Sequence, residues 1–177
     1  MIRVSHFLVV AVLMLPIAGF AASPYVDQTS RSIKALSDDE VDDYLSGKGM
    51  GFAKAAELNG YPGPAHVLEL ASQLELSPAQ RAKTEAIFAR MQTSAQAAGR
   101  RLVDEERRLD ELFGSKAISS TLLHQTLGSI ASLQGEVREI HLRAHLEEAE
   151  VLSAAQAMKY WHLRGYADDN PVHHHAH

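Results

Sequence analysis

SPAQRAKTEAIFARMQTSAQAAGRRLVDEERRLDELFG, residues 77–114, is the stretch that decides the fold. Ser77 is suited to cap a helix, Pro78 to begin it and Gln80 to reach back to the cap, which is a capping-box pattern. Apolar side chains then recur at helical spacing up to Gly114, which is placed to end the helix. Roughly 36 residues at 1.5 Å each predict a rod of about 54 Å, which needs a partner alongside it.

The partner is the segment from Leu123 to about Leu152, which keeps the same spacing of apolar side chains. The connection from Gly114 to Ser119 is short, so we expect the two rods to form an antiparallel hairpin. Strand signals are scarce. The predicted fold class is therefore all-α, an elongated antiparallel helical hairpin with short flanking helices. These flanking helices are expected at about 37–45, 52–58, 65–74 and 153–165.

The first 21 residues have the three-part layout of a secretory signal, with cleavage expected just after Ala21. Their apolar run of about 11 residues is too short to span a bilayer, although an uncleaved interfacial anchor is the alternative. No later stretch is apolar enough to span, so we expect a periplasmic mature chain without a transmembrane segment. The predicted organisation is a signal peptide over 1–21, a flexible segment over 22–36, the hairpin domain over 37–166 and a disordered His-rich tail over 167–177.

The composition argues against several classes of function. The chain has no cysteine, which excludes disulfides and thiolate metal sites. Its formal net charge of −5 gives no electrostatic footprint for a nucleic-acid partner. The glycine-rich stretch at 47–51 lacks the full spacing of a nucleotide-binding loop, and no grouping of Ser, His and acid marks a hydrolase. We therefore expect neither an enzyme nor a required cofactor.

Two similar boxes flank the hairpin, Leu76-Ser77-Pro78-Ala79-Gln80 and Leu152-Ser153-Ala154-Ala155-Gln156. Each is explained locally as a helix start, which by itself says nothing about function. Together with the segments at 49–64 and 160–166, they resemble the LTxxQ proteins of the bacterial periplasm, which include the Spy and CpxP refolding chaperones, heavy-metal sensors and zinc-resistance proteins. Both boxes have Ser where that motif has Thr, which keeps the capping chemistry.

The resemblance implies a homodimer with a concave cradle that binds unfolded client proteins without ATP, or a protein that binds metal ions. The first hypothesis is a periplasmic chaperone-like stress protein of the Spy/CpxP type. The alternative is a periplasmic sensor or resistance protein for zinc, copper or nickel, and a third is an adaptor that docks on an envelope regulatory partner. In a chaperone, charged and apolar side chains of the first long helix would hold the client: Met91, Arg100, Arg101 and Leu102. Ordinary hairpin core is the alternative for the two apolar residues, and a solvated face for the arginines.

His141 and His145 lie four residues apart on the second long helix, and Glu148 follows three residues later, so the three share one stripe. Helical His pairs at this spacing can chelate zinc or copper. A third ligand is expected from His66 or Glu69 if the short helix before the hairpin packs nearby. The alternative is that His141 lies at the rim of the packing seam, while His145 and Glu148 are solvated and form no site.

Other histidines fall into two groups. His124 and His162 stand alone and are expected at the surface or at the edge of the core. The tail has a His-rich tract that is expected to bind nickel, copper or zinc loosely, and its interruption by Ala argues against a purification tag. The tract consists of His173, His174, His175 and His177.

Overall fold

The computed structural model describes residues 23–166, so the predicted signal peptide over 1–21 and the predicted tail over 167–177 lie outside the described residues. Within 23–166 all regular structure is helical, which confirms the predicted fold class. None of these helices is both long and apolar enough to cross a membrane. A 3₁₀ turn at Val26–Gln28 precedes α1 (Asp38–Ser46), α2 (Lys54–Glu57), α3 (Pro64–Glu69), α4 (Pro78–Gly114), α5 (Ser120–Ala149) and α6 (Ala154–Leu163).

The long helices α4 and α5 lie side by side as an antiparallel hairpin. Their 37 and 30 residues give rods of about 55 and 45 Å. Thr84 of α4 contacts Glu148 of α5, and Arg101 farther along α4 contacts Glu136 nearer the start of α5. The seam is filled by small and aliphatic side chains, which let the two helices pack closely: Ala95, Ala98, Leu102, Ile130, Leu133, Val137 and Ala144.

Three helices begin where the sequence predicts them, because each start forms a complete capping box. The end of α4 differs slightly from the prediction. Gly114 is still helical, and the Ser115 N–H and hydroxyl both donate to the Glu111 carbonyl oxygen. The left-handed residue that turns the chain is Lys116, with φ 61°. The three boxes are Ser37/Glu40, Ser77/Gln80 and Ser153/Gln156.

The boxes at the starts of α4 and α6 also bind each other. Gln80 Nε2 donates to Gln156 Oε1 at 2.7 Å and to the Val151 carbonyl oxygen at 3.0 Å. Gln156 Nε2 donates to Gln80 Oε1 and to the Leu74 carbonyl oxygen, both at 3.2 Å. Each amide therefore caps its own helix with its oxygen and joins the two helix starts with its nitrogen. We call this pair of side chains the glutamine clasp.

The short helices pack against the hairpin, with α1 and α3 on α4, and α2 and α3 on α5. Helix α1 lies directly on α4 because position 99 is glycine: a Cβ there would be 2.2 Å from the Tyr44 carbonyl oxygen. An apolar cluster of Val67, Leu74, Leu152 and Tyr160 joins the short helices to α6. A second cluster of Leu102, Ile130 and Leu133 fills the hairpin.

Part of the segment before α1 is anchored to the hairpin. Ile33 is buried, and the Lys34 backbone N–H donates to Asp110 Oδ1 at 3.2 Å. The segment 22–36, which the sequence predicts to be flexible, therefore has a fixed contact with α4 near residues 33 and 34.

Candidate functional site

A cavity of about 720 Å³ lies among α2, α3, the hairpin and the chain that follows α6. The predicted histidine pair and both predicted sources of a third ligand line it. We call it the histidine cavity. Its polar lining includes Glu57, His66, Glu69, His141, His145, Arg164 and Tyr166, and its apolar lining includes Met50, Phe88 and Met91.

His141 and His145 are both buried, with exposed fractions of 3% and 8%. His145 Nδ1 lies 2.8 Å from the Tyr61 carbonyl oxygen. A carbonyl only accepts, so Nδ1 carries the proton and the lone pair of the neutral ring is on Nε2. His141 Nε2 is buried and has no hydrogen-bond partner among the described residues. Burial, with a smaller contribution from His145, lowers the pKa of His141, which favours the neutral ring that binds metal cations.

Glu57 is a buried carboxylate at the end of α2. Its Oε1 accepts from the Tyr160 hydroxyl at 2.7 Å, the Tyr166 hydroxyl at 3.0 Å and Arg164 Nε at 3.3 Å. Burial and the bond to Glu57 raise the pKa of Tyr160 far above its ordinary value, so this hydroxyl keeps its proton and donates. Oε2 is buried without a hydrogen-bond partner in the described chain, 3.7 Å from His145 Nδ1. Glu57 Oε1 thus accepts three hydrogen bonds, whereas Oε2 accepts none from the described residues.

The turn before α3 presses on the His145 ring at Gly63. A Cβ at this position would lie 2.8 Å from His145 Cε1, 3.0 Å from His145 Nε2 and 3.5 Å from Glu57 Oε2. Glycine is therefore needed for the turn to approach this closely.

His66 and Glu69 of α3 contribute a second wall of the cavity. His66 is half-buried, with Nδ1 at 3.8 Å from Glu57 Oε1, while Glu69 is exposed. Across residues 23–166 no three His, Asp or Glu side chains stand together as a ready-made metal-binding group. The cavity therefore collects donor groups without completing a coordination shell.

Glu148 does not belong to the cavity. It is fully buried in the hairpin seam, where its Oε1 accepts from the Thr84 hydroxyl at 2.8 Å. Its Oε2 is buried without a hydrogen-bond partner in the described chain, so a ligand role for Glu148 beside His141 and His145 stays a prediction. The alternative that His145 and Glu148 are solvated is wrong, because both side chains are buried.

The residues expected to bind clients are placed differently from one another. Arg100 and Arg101 are exposed, and Arg101 pairs with Glu136 across the hairpin. Met91 is half-buried at the edge of the histidine cavity. Leu102 is only 1% exposed and packs in the hairpin core, so the expectation that it contacts clients is wrong.

The two solitary histidines, His124 and His162, are exposed, as the sequence predicts. The tail histidines lie beyond the described residues, so the structure places none of them.

The sequence reasoning missed the partners of Glu57. The one local signal is the four-residue spacing of Tyr160 and Arg164, which puts a hydroxyl and a guanidinium on one side of the chain's last helical turns. Tyr160 and Tyr166 lie 103 and 109 residues from Glu57 in the sequence, and no local pattern joins residues so far apart.

In comparisons with known proteins, no family model, curated protein or solved structure matches the chain. The resemblance to LTxxQ proteins therefore stays a prediction from the motif residues, and a function has to be argued from the cavity.

Proposed function

We propose that this chain is an exported helical-hairpin protein that binds a divalent transition-metal ion in the histidine cavity. The observation that carries the proposal is the buried pair of His141 and His145, each with a ring nitrogen that makes no hydrogen bond to the described residues. The Nδ1–H of His145 donates to the Tyr61 carbonyl oxygen, and a metal-binding histidine usually makes such a bond with its other ring nitrogen. Both rings line the cavity that Glu57 also lines.

The donor types favour some metals over others. Imidazole nitrogens suit zinc, copper and nickel, whereas magnesium and calcium prefer sites made of oxygen ligands. Glu57 Oε2 adds a free carboxylate oxygen near His145, and the thioethers of Met50 and Met91 line the same space. The resemblance to a family with heavy-metal sensors supports the same function, and the signal-like N-terminus supports a periplasmic location.

The proposal predicts that the His141→Ala/His145→Ala variant loses one tight site for zinc, copper or nickel. Calorimetric titration of each ion into the chain from residue 22 to residue 177 measures this loss. The His-rich tail is present in both proteins, so any metal that it binds is the same in the two titrations. His124→Ala/His162→Ala is the matched control, since it removes two exposed histidines outside the cavity. Circular dichroism establishes that each variant is folded, and His141→Gln/His145→Gln replaces the alanine variant if that one is not. Unchanged affinity and stoichiometry in the folded double variant would reject the cavity as a metal site.

A second function, ATP-independent binding of unfolded clients, is favoured by a groove along the hairpin. The groove has a volume of about 360 Å³ and combines apolar side chains with ion pairs. Arg90 pairs with Glu147 across the two helices at 2.6 Å, and Arg143 pairs with Glu139 within α5. Mixed charge around apolar side chains suits electrostatic capture followed by loose apolar contact. The apolar part consists of Ile87, Met91, Ile140 and Ala144.

A further inference from the structure

We propose that Glu57 is a ligand of the ion in the histidine cavity, bound through Oε2, and that the Tyr160 hydroxyl positions this carboxylate. The proposal depends on the metal-binding function above and identifies a further ligand and the residue that supports it. Two imidazoles do not complete a zinc site, because zinc in proteins takes four ligands in most structural sites and three protein ligands in most catalytic ones. A donor is therefore needed in addition to His141 and His145.

The first argument concerns buried polar atoms that lack a partner. Among the described residues, four buried side-chain atoms make no hydrogen bond, and two of these belong to residues that line the histidine cavity. The two atoms are His141 Nε2 and Glu57 Oε2. A buried carboxylate oxygen without a donor is unfavourable, and a cation bound to it would remove this cost. The cavity is thus lined by an unpartnered imidazole nitrogen and an unpartnered carboxylate oxygen.

The second argument is that the other oxygen of Glu57 is already occupied. Oε1 accepts from Tyr160, Tyr166 and Arg164. A carboxylate oxygen has about two lone-pair directions, so three donors leave no place for a cation on Oε1. Oε2 is the oxygen that remains for an ion, and the carboxylate therefore binds it through one atom.

The third argument is the environment of the Tyr160 hydroxyl. Its oxygen accepts from the Gly63 N–H at 3.3 Å, and its O–H donates to Glu57 Oε1 at 2.7 Å. The hydroxyl has a single proton, which the bond to Glu57 uses. Tyr160 is only 2% exposed, and its ring packs in the apolar cluster that joins the short helices to α6. Helix α6 thereby holds the carboxylate in one orientation, which is the role of an outer-shell partner in a metal site.

The donors differ in how they are held. Glu57 is fixed by three hydrogen bonds, and His145 is fixed by its bond to the Tyr61 carbonyl oxygen. The His141 ring stacks on Phe52, with ring centroids 6.2 Å apart, and its Nε2 makes no hydrogen bond in the described chain. No three His, Asp or Glu side chains are assembled as a metal-binding group within 23–166, so an ion has to draw its ligands together. We expect His141 to move and the two fixed donors to stay.

The ligand test compares zinc binding by Glu57→Gln and by the wild type. The three donors to Oε1 require an oxygen there, which places the amide NH₂ of the glutamine at the position of Oε2, and this group has no lone pair for a metal. We expect the Kd to rise at least about a hundredfold, since loss of an outer-shell partner alone costs about 10–100-fold. With cobalt as a spectroscopic probe, the visible bands should change in position and intensity. Glu150→Gln, an exposed residue outside the cavity, is the control and should bind both ions as the wild type does.

The positioning test uses Tyr160→Phe, which removes the hydroxyl and keeps the ring in the apolar cluster. We expect the zinc Kd to rise about tenfold. Tyr61→Phe is the matched control, because it removes the same atom from a tyrosine that is 42% exposed. Circular dichroism establishes that the variant is folded. If it is not, Tyr166→Phe, which removes another donor to Glu57 from a half-buried residue, replaces it and should raise the Kd several-fold.

A double-mutant cycle separates positioning from a general effect on the fold. In the Glu57→Gln background no carboxylate remains to be positioned, so Tyr160→Phe should change the zinc Kd by less than about twofold. A purely structural role of the hydroxyl would weaken binding equally in both backgrounds. That result would reject the positioning role of Tyr160.

Other results would overturn the ligand role of Glu57. An unchanged Kd and cobalt spectrum in Glu57→Gln would exclude it, while loss of binding in His141→Ala/His145→Ala would still uphold the cavity as the metal site. Weaker binding by Glu69→Gln, with unchanged binding by Glu57→Gln, would assign the ligand to the other wall of the cavity. Wild-type affinity in the folded histidine variant would reject the metal function of the cavity and this proposal with it.

Discussion

Glu148 illustrates how a single residue can satisfy a sequence pattern and still have another role. At about 100° per residue, His141, His145 and Glu148 occupy a stripe of about 60°, with His145 and Glu148 at its two edges. A stripe of this width faces two neighbours of the helix. One edge meets the cavity, and the other meets Thr84 in the seam with α4. The spacing predicts the histidine pair and cannot decide which neighbour receives the third side chain.

The pH dependence of stability should reveal the buried Glu148. Burial raises its pKa above the ordinary value of 4.5, against a smaller opposing effect of the Thr84 hydrogen bond. The folded state then binds the proton more tightly than the unfolded state. Its stabilising contribution is therefore complete below the ordinary pKa and is lost as the pH rises through the raised pKa.

We predict that Glu148→Gln, which mimics the protonated group, unfolds at a higher urea concentration than the wild type near pH 8. The difference in unfolding free energy should be about 1–3 kcal/mol and should shrink toward pH 4. Urea titrations followed by circular dichroism at several pH values measure it. Glu150→Gln, an exposed neighbour, is the control and should show no such trend. If the unfolding free energies of Glu148→Gln and the wild type change in parallel with pH, the pKa of Glu148 is not raised in the folded state.

At the scale of helices, the starts were the most predictable feature. A capping box is a local interaction between residues three apart, so Ser77 and Gln80 determine the start of α4 without help from the rest of the chain. Helix ends were less predictable. Gly114 is helical, and the left-handed turn falls on Lys116, because a non-glycine residue can adopt this conformation at a modest cost. The contact between the two Ser-x-x-Gln boxes was not predicted, because it joins residues 76 positions apart.

Because of the glutamine clasp, we expect Gln80→Glu to lower the free energy of unfolding, which capping alone does not predict. Glutamate is as good as glutamine in a capping box and favourable near a helix start, so capping alone predicts no loss of stability. The substitution removes the amide that donates to Gln156 and to the Val151 carbonyl oxygen. We therefore expect a loss of about 1–3 kcal/mol in unfolding free energy, since two partly buried acceptors lose their donor.

Chemical denaturation of Gln80→Glu measures this effect. Glu40→Gln is the matched control, because it makes the reverse change in the box of α1, where the Glu40 carboxylate accepts hydrogen bonds from Ser37 alone among the described residues. We expect the control to stay within about 0.5 kcal/mol of the wild type. If Gln80→Glu is as stable as the control, the two glutamines act only as caps.

For the molecule as a whole, the sequence predicts the hairpin more completely than the site. The hairpin follows from the periodicity and from one short connection, which are local properties. The histidine cavity depends on α2 and α3 packing beside α5, and on Glu57 meeting Tyr160 and Tyr166 from the far end of the chain. Local spacing in the sequence singles out His141 and His145 but not Glu57, whose contacts with Tyr160 and Tyr166 form only when the chain folds.

The groove and the cavity share Met91, which lines both, so a test of client binding needs a residue of the groove alone. Ile140 meets this condition and is half-buried. If the groove binds clients, Ile140→Ser should require several-fold more protein than the wild type to suppress aggregation of a chemically unfolded model protein, measured by light scattering in metal-free buffer. Its affinity for zinc should be unchanged, because Ile140 does not line the cavity.

Leu127→Ser is the matched control for this client test. Leu127 is 46% exposed on the same helix and lines neither the groove nor the cavity, so its loss should leave suppression as in the wild type. If Ile140→Ser suppresses aggregation as well as the wild type does, clients bind to a different surface of the molecule. A wild-type chain that suppresses no aggregation would reject the chaperone function and leave the metal site as the function to pursue, since the two depend on different surfaces.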